Sequence, residues 1–421
     1  MDLDLFKPLK GQRGVTVIVV ALLMVIFIGV AALAIDIGHL FVVRNELQNA
    51  SDAGCLAGAR FLYNDSGTAI PGENKENEDA NLISYHAAIA NKSEKAPVEV
   101  HWNEGNLGDV ERGHWSFATC TFTPNNSTQP IDLWDVSPEE LDANLYFINA
   151  IRVRTRRQDT PAASFFARVF GYENFSLSTE AIAYVGFAGT LAPGEADQPI
   201  AICKQSLLDN DKYTCKIGRM ISSGEQVAGG WTDFNQDNPC LSGTNDETVR
   251  SLICNAGNPD SIILGQFIAI NGGYIQNAHG LLRQCWPIPT GKTQPTQPWP
   301  LTLPVIEIAE SNLDRCARMV GAVTINIVWI TGEDEDSTYS DAPWEMENPR
   351  TGTTWSSNNP IGQERWNSFR QDFNLQRLDG SLAPYQKKAI YFLPDCNPHA
   401  PKGRTGGENF GIMAKIPVLA K

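Results

Sequence analysis

The chain has 421 residues, of which 42% are hydrophobic and 19% charged, and its formal net charge is −15. This composition excludes a disordered chain, and the length allows two globular units beside a membrane segment. The negative charge disfavours nucleic acid and anionic headgroups as partners, because phosphate is repelled unless basic residues cluster. The largest basic group, RVRTRR at 152–157, alternates with apolar residues and predicts a strand with one solvated face.

Residues 15–35 are an uninterrupted apolar segment without a charge. About 20 residues of helix cross roughly 30 Å of hydrocarbon, so one transmembrane helix is predicted. A cleaved signal peptide would have a shorter apolar core that ends at small residues. Lys7, Lys10 and Arg13 predict that residues 1–14 are a cytoplasmic tail. We therefore expect a single-pass inner-membrane protein with a cytoplasmic N terminus and its bulk in the periplasm or outside the cell.

The same helix is predicted to continue beyond the span. Apolar and small residues recur there at alternating steps of three and four, at Leu40, Val43, Leu47, Ala50, Gly54, Ala57 and Phe61. This 3.5-residue period is typical of a helix packed along a partner, and the small members allow a second backbone to approach closely. Two interpretations stay open: docking on neighbouring helices, or packing on the chain's own globular domain.

Asp36 lies on the same face at the membrane edge, where an unpaired carboxylate is costly and a partner is therefore expected. One interpretation is contact with water and with His39, one turn further along the helix. The other is an ion pair between subunits.

A family pattern runs through this helix. It consists of Arg13-Gly14, the apolar span, Asp36-x-Gly38, Arg44-x-x-Leu47-Gln48-Asn49-Ala50 and Asp52, followed by alanine-rich sequence. Over about residues 13–60 the chain thus resembles the N-terminal module of the Tad-type (Flp) pilus-assembly proteins, the TadE/TadG-like group, with weaker similarity to about residue 189. The resemblance implies a structural or assembly component of a surface pilus or related secretion apparatus rather than an enzyme.

The resemblance also implies that the helix docks on other pilus or secretion-apparatus subunits. The residues expected to carry this docking are Asp36, Gly38, Arg44, Leu47, Gln48, Ala50, Asp52, Gly54 and Ala57. Processing as in type IV-like prepilins would cut after Gly14 and make Val15 the first residue, with Val19 where such prepilins carry a glutamate. Whether the chain is processed, and whether it forms a homo-oligomer, stays open.

The first unit, residues 36–189, is predicted to be a helical stem with an α+β domain, which resembles the outline of a pilin subunit. A short helix is expected at 80–92, and strands at 97–102, 114–122 and 151–156. Thr160 and Pro161 predict a capped second helix that Gly171 closes.

The segment 190–199 is rich in proline, glycine and acidic residues and is predicted to be a linker with nothing to bury. The second unit, residues 200–421, has predicted strands at 200–204, 321–331, 389–393 and 414–420. The predicted fold class is therefore α+β: a long N-terminal transmembrane helix continues into a pilin-like α+β domain, and a disulfide-rich, loop-rich, mostly β domain follows.

Nine cysteines occur without a CxxC motif, which favours disulfides in an oxidising compartment over a zinc site. The candidates for disulfide bonds are Cys120, Cys203, Cys215, Cys240, Cys254, Cys285, Cys316 and Cys396. Cys55, on the long helix, is predicted to be a small buried thiol.

No catalytic residue, metal site or cofactor is predicted. The GxSxG, HExxH, GxGxxG and GxxxxGK motifs are absent. Four carboxylates at 333–336 lack the spacing of a calcium loop, so a solvated acidic turn is favoured.

An alternative function is open for the second unit. Trp286, Trp299, Trp344 and Trp355 lie near prolines, where they could fill small cores or form a flat aromatic surface for a partner or glycan. In the second case the chain would be a surface-displayed adhesin or carbohydrate-binding module, tethered by the helix.

Overall fold

The structure is a computed structural model that describes residues 12–64, 76–103, 105–129, 131–222, 228–255, 257–308, 315–332, 339–348, 351–355 and 361–420. In chain order the helices are α1 (Gln12–Ala59), α2 (Glu76–Ile89), α3 (Pro138–Asp142), α4 (Pro239–Ser242), α5 (Asp246–Leu252), α6 (Ala278–Cys285) and α7 (Gly362–Asp372). Two short 3₁₀ helices span Ala167–Phe170 and Lys204–Ser206.

The strands of the first part of the chain are β1 (Lys92–Ser93), β2 (Ala96–Pro97), β3 (Trp102–Asn103), β4 (Leu107–Gly108), β5 (Val110–Ser116), β6 (Thr121–Pro124), β7 (Ala150–Ala163), β8 (Asn174–Tyr184), β9 (Phe187–Ala188) and β10 (Thr190–Leu191). The later strands are β11 (Ile200–Cys203), β12 (Leu208–Asp209), β13 (Lys212–Tyr213), β14 (Arg219–Ser222), β15 (Gly229–Trp231), β16 (Ile262–Ile263), β17 (Phe267–Ala269), β18 (Trp299–Glu307), β19 (Cys316–Ile330), β20 (Ala389–Pro394), β21 (Lys402–Gly407), β22 (Ala414–Ile416) and β23 (Val418–Leu419).

α1 is one helix of 48 residues that joins the predicted membrane segment to the predicted stem. Its sequence contains no proline, and by length and composition it can cross a membrane. Large apolar side chains between Val17 and Val42 are exposed, whereas Val43, Leu47 and Ala50 are fully buried. The first half of the helix is therefore left uncovered, and the second half is part of a protein core.

The first unit is built on an antiparallel sheet with the strand order β23-β8-β7-β5-β6. Its longest pair, β7 and β8, forms a hairpin, and α1 lies along both strands with α2 beside it. In β7, Ile151, Val153 and Thr155 are buried and alternate with arginines that are more exposed. The alternation predicted at 151–156 is confirmed, and so is the helix predicted at 80–92.

α1 and α2 pack closely because α1 carries glycine where the two helices meet. A Cβ atom on Gly54 would lie 3.0 Å from the Cβ of Ala88, and one on Gly58 would lie 2.7 Å from the carbonyl oxygen of Ala80. The small residues of α1 thus admit a second backbone, as predicted, but that backbone is α2 of the same chain.

The predicted helix that begins at Pro161 is wrong. β7 continues to Ala163, and only the short 3₁₀ helix Ala167–Phe170 follows, which Gly171 closes in the left-handed conformation. The reason is a competing partner: Glu99 accepts hydrogen bonds from the backbone N–H groups of 158–160 and from the Thr160 hydroxyl. Thr160 therefore donates hydrogen bonds to Glu99 and does not cap a helix.

Two predicted strands are interrupted. The segment 97–102 contains only the ends of β2 and β3, and 114–122 turns back on itself between β5 and β6. Cys120 lies in that turn with φ at 53°.

The second unit contains a seven-stranded sheet in the order β14-β20-β19-β18-β11-β15, with β17 paired to β19. The strands predicted at 200–204, 321–331 and 389–393 are confirmed as parts of β11, β19 and β20. The segment 414–420 instead forms two short strands, because Pro417 between them has no N–H to donate. The acidic residues 333–336 lie outside the described residues.

The two units are interwoven. β23 pairs with β8 of the first sheet, through Val418 with Tyr184 and Leu419 with Ala183. Met413 belongs to the same core cluster as residues of α1 and β7. The last residues of the predicted second unit thus complete the sheet of the first.

The segment 190–199, predicted to bury nothing, is instead part of a core. Leu191 and Ala196 are fully buried in a cluster with residues of β11 and β19. β10 pairs with β16. Although its composition is typical of a loop, this segment contributes two apolar residues to a core cluster.

All nine cysteines lie in the part of the chain that the structure describes, and six of them form the disulfides Cys215–Cys396, Cys240–Cys316 and Cys254–Cys285. The prediction was wrong for Cys120 and Cys203, which are free thiols. Cys203 is fully buried in β11, which lies between β18 and β15, and Cys120 lies in an exposed turn of the first unit. Cys55 is buried, as predicted. Its burial, together with the smaller effect of the nearby Asp52 carboxylate, raises the pKa of the thiol to about 12.

The contact between α1 and α2 leads to a first prediction. We expect Gly58→Ala to lower the free energy of unfolding by about 1–3 kcal/mol, the usual effect of overpacking, because the new methyl group meets backbone at Ala80. Thermal unfolding of the full-length chain in detergent measures this. Gly38→Ala is the matched control, since a Cβ atom at Gly38 has nothing within 4 Å. Equal melting temperatures for the two variants would contradict the packing argument.

Glu99 leads to a prediction about pH. Its partial burial favours the neutral form, but the hydrogen bonds from 158–160 outweigh this and lower its pKa to about 2. A lowered carboxylate pKa contributes stability above the unfolded value of about 4.3, and this is lost as the pH falls toward 2. We expect amide exchange at 158–160 to speed up over that range in the wild type, relative to Glu99→Gln. The same pH dependence in both proteins would show that Glu99 is not the group responsible.

Candidate docking site: the N-terminal helix and its hairpin

A buried hydroxyl network ties α1 to the hairpin of β7 and β8. The Ser51 hydroxyl lies 2.9 Å from that of Thr155 and 3.2 Å from that of Thr179. The Thr155 hydroxyl also donates to the carbonyl oxygen of Leu47, at 2.8 Å. These hydrogen bonds fix the position of α1 along the two strands, because each hydroxyl reaches its partner at only one position of the helix.

The hairpin runs along α1 toward the membrane segment. Thr155 lies beside Leu47, whereas Ala162 packs in a cluster with Val43. Further along the strand, the backbone at 165–167 meets Asp36. Rising numbers in β7 therefore correspond to falling numbers in α1, and the end of the hairpin lies at the boundary of the apolar span.

Asp36 binds the end of the hairpin. Its carboxylate accepts hydrogen bonds from the backbone N–H groups of Phe165 at 2.8 Å, Phe166 at 3.0 Å and Ala167 at 2.6 Å. Ala167 begins the 3₁₀ helix, so the carboxylate satisfies N–H groups that a helix start leaves without intrahelical partners. The structure thus gives Asp36 a partner in the main chain of its own molecule.

His39, one turn beyond Asp36, reinforces the same contact. Its ring packs edge-on against Phe165, with centroids 4.9 Å apart, and its Nε2 lies 2.8 Å from the Glu94 carboxylate. Arg157 lies on the other side of Glu94, at 3.4 Å. The membrane end of the first unit is thus held by charged and polar contacts within one chain.

The predicted docking residues fall into three groups. Asp36, Leu47, Ala50 and Gly54 are buried against their own chain; Gln48, Asp52 and Ala57 are partly buried; Gly38 and Arg44 are exposed. Gln48 donates to Asp52 at 2.8 Å and to the carbonyl oxygen of Glu180 at 3.3 Å. The apolar stripe beyond the membrane therefore follows the second interpretation, packing on the chain's own domain.

The uncovered surface of α1 is its membrane half. Among residues 16–43, all of which the structure describes, no exposed side chain is charged, and Arg44 is the first exposed charge. Ala31, Ala34 and Gly38 follow one another at steps of three and four on this exposed surface. At 100° per residue they lie on the side of the helix away from Asp36, and so away from the domain. Sequence reasoning missed this stripe, because it looked for small residues beyond the span.

The tryptophans of the second unit do not form an exposed aromatic surface. Trp286 and Trp355 are buried, and Trp299 and Trp344 are partly buried. Trp286 stacks on Trp299, and Arg365 lies over the ring of Trp344. These rings fill the core between loops, as in the first of the two interpretations.

Comparisons with known families agree with this geometry. A family model described as putative Flp pilus-assembly, TadE/G-like, matches residues 14–60, and one described as putative Tad-like Flp pilus-assembly matches 57–183. The first match covers most of α1, and the second covers α2 and most of the sheet that α1 packs against. No curated protein and no solved structure matches the chain.

The Asp36 contact leads to a prediction. We expect Asp36→Asn to reduce the local stability at residues 165–167 by about 1–3 kcal/mol, because the amide keeps only one acceptor oxygen and loses the charge. Hydrogen exchange of these amides in the full-length chain measures the effect. Asp52→Asn is the control on the same helix. It also replaces a carboxylate that accepts a hydrogen bond, but this bond comes from the Gln48 side chain, at 2.8 Å. Unchanged exchange in Asp36→Asn would contradict the cap.

Proposed function

Because this chain belongs to the Tad/Flp pilus-assembly proteins of the TadE/G type and is membrane-anchored, we propose that it is a structural component that docks on neighbouring pilus-assembly subunits through the uncovered half of α1. One observation carries the proposal. Residues 16–31 of α1 are all exposed in the structure, while the continuation of the same helix is packed into the first unit.

The uncovered half suits packing against another helix in lipid. Lipid tails are as apolar as leucine, so helices associate in a membrane chiefly where small residues let their backbones approach. Ala31, Ala34 and Gly38 supply such a stripe on the side away from the domain. A neighbour can therefore reach this surface without displacing the first unit. Among the residues implied by the family resemblance, Gly38 and Arg44 stay available for such a contact.

The part of α1 beyond the span is fixed to the first unit, so docking would connect that unit mechanically to the neighbouring subunit. α1 is held by α2 at Gly54 and Gly58, by the hydroxyls of Thr155 and Thr179, and by the backbone that binds Asp36. A force on the span is thus passed directly to the sheet of the first unit. An anchoring or assembly subunit needs such a connection.

The proposed location is the inner membrane, with the N terminus in the cytoplasm and both units in the periplasm or outside. The basic residue Arg13 before the span and the three disulfides after it support this orientation. A cut after Gly14 stays a prediction. The intact mass of the native chain, measured separately in membranes and in sheared filaments, distinguishes a processed minor pilin from a stationary component.

Substitution of an open glycine tests docking. We expect Gly38→Leu to reduce co-purification of pilus-assembly subunits by about tenfold, since losing close backbone approach costs on the order of 1 kcal/mol or more. Gly280→Leu is the matched control: it is also a helical glycine with nothing within 4 Å of its Cβ atom, and it lies in α6 of the second unit.

Both variants should fold, because a Cβ atom at either position has nothing within 4 Å. Equal co-purification of partners by Gly38→Leu and Gly280→Leu would overturn docking through this surface. A loss that occurs in both variants would have the same consequence, since it could not come from the helix.

A further inference from the structure

The end of the hairpin of β7 and β8 carries an exposed apolar cluster, which we call the hairpin tip, residues 165–172. Its exposed apolar and aromatic side chains are Phe165, Phe166, Val169, Phe170 and Tyr172. Val169 is 80% and Phe170 78% exposed, values at which these side chains bury almost nothing against their own chain. Adjoining large apolar residues at one end of a domain mark a surface that something else covers.

The tip is built as a projecting element. Ser164 donates its backbone N–H to the carbonyl oxygen of Glu173 at 3.1 Å, and its hydroxyl to that of Tyr172, which closes the strands below the tip. Beyond this closure the chain turns through the 3₁₀ helix Ala167–Phe170 and the left-handed Gly171. The aromatic residues therefore stand at the extreme end of the first unit.

The height of the tip along α1 identifies what covers it. Asp36 binds the backbone of Phe165, Phe166 and Ala167, and Asp36 is the first residue after the predicted span. The exposed surface of α1 carries no charge from Thr16 to Val43, about 40 Å of helix at 1.5 Å per residue. That exceeds the roughly 30 Å hydrocarbon core and matches the bilayer with its headgroups, so residues 36–43 lie in the interfacial layer. The tip is fixed at the same level.

We propose that the hairpin tip inserts into the interface of the membrane that α1 spans, on the side of the membrane where the domain lies. Aromatic side chains favour this layer, and an apolar face on a peripheral element enters it by about 5–10 Å. No acidic residue occurs between 165 and 172, although the chain as a whole is strongly acidic. Arg168, also exposed, is placed among these residues where it can meet lipid phosphate.

The insertion would give the first unit two attachments to one membrane. A single helix allows the domain to rotate about the helix axis and to tilt. A second contact on the side of the helix that binds the domain removes both freedoms, so the stripe at Ala31, Ala34 and Gly38 faces one direction in the membrane plane. The inference rests on the membrane anchoring and is independent of the docking partner.

Photo-cross-linking in vesicles that contain only this protein tests the inference. The full-length chain is reconstituted in phosphatidylethanolamine–phosphatidylglycerol vesicles with benzoylphenylalanine in place of Phe170. We expect adducts with lipid, identified by mass, at about the level obtained from Phe27 in the span and at least about fivefold above Phe267. Phe27 and Phe267 are 68% and 50% exposed, and Phe267 lies in β17 of the second unit. Val169 offers a second position for the probe.

The outcomes separate the two proposals. Lipid adducts from Phe27 but only the Phe267 level from Phe170 would overturn the insertion and leave the anchoring intact. Adducts from Phe170 with a second copy of the chain, without lipid adducts, would also overturn it and identify the tip as a protein contact. Loss of lipid adducts from both Phe27 and Phe170 would overturn the membrane anchoring, and the insertion with it.

Discussion

The structure depends on one constraint: α1 must be packed closely along half of its length and left bare along the other half. The packed half is possible because Gly54 and Gly58 let α2 approach to van der Waals distance, where any larger side chain would meet backbone. The bare half requires lipid or other helices around it, since that much exposed apolar surface is unfavourable in water. The switch between the two occurs at Asp36, whose carboxylate binds the hairpin at the boundary.

Much of the architecture follows from short-range patterns in the sequence. The apolar run and the absence of proline predict α1 as one helix, alternation predicts β7, and short apolar segments predict parts of β11, β19 and β20. From Val43 to Gly54 the 3.5-residue stripe correctly marks the buried face of α1, whereas Phe61 lies beyond the helix and is exposed. Its spacing could not say whether the partner belongs to the same chain, because a helical stripe looks alike whichever backbone covers it.

The failures have one physical origin, a partner distant in sequence. Thr160 and Pro161 are typical of a helix start, but the carboxylate of Glu99, from an earlier segment, binds the backbone N–H groups of Asp159 and Thr160. Eight cysteines allow many pairings, and Cys203, buried in β11, is a free thiol. Asp36 was correctly expected to need a partner, yet the N–H groups that satisfy it lie more than a hundred residues later. In each case tertiary contact overrides a local signal.

The return of the chain to its first sheet has a consequence for biogenesis. β8 borders β7 on one side, and on its other edge Ala183 and Tyr184 pair with β23, the last strand of the second unit. Until those residues are synthesised, this part of β8 is an open edge of the kind that recruits foreign strands. α1 is therefore made first, but the domain that holds it reaches its final form last. Synthesis and folding of this chain are coupled from one end to the other, so a shortened chain that ends before β23 would have its defect at the end of the hairpin opposite the tip.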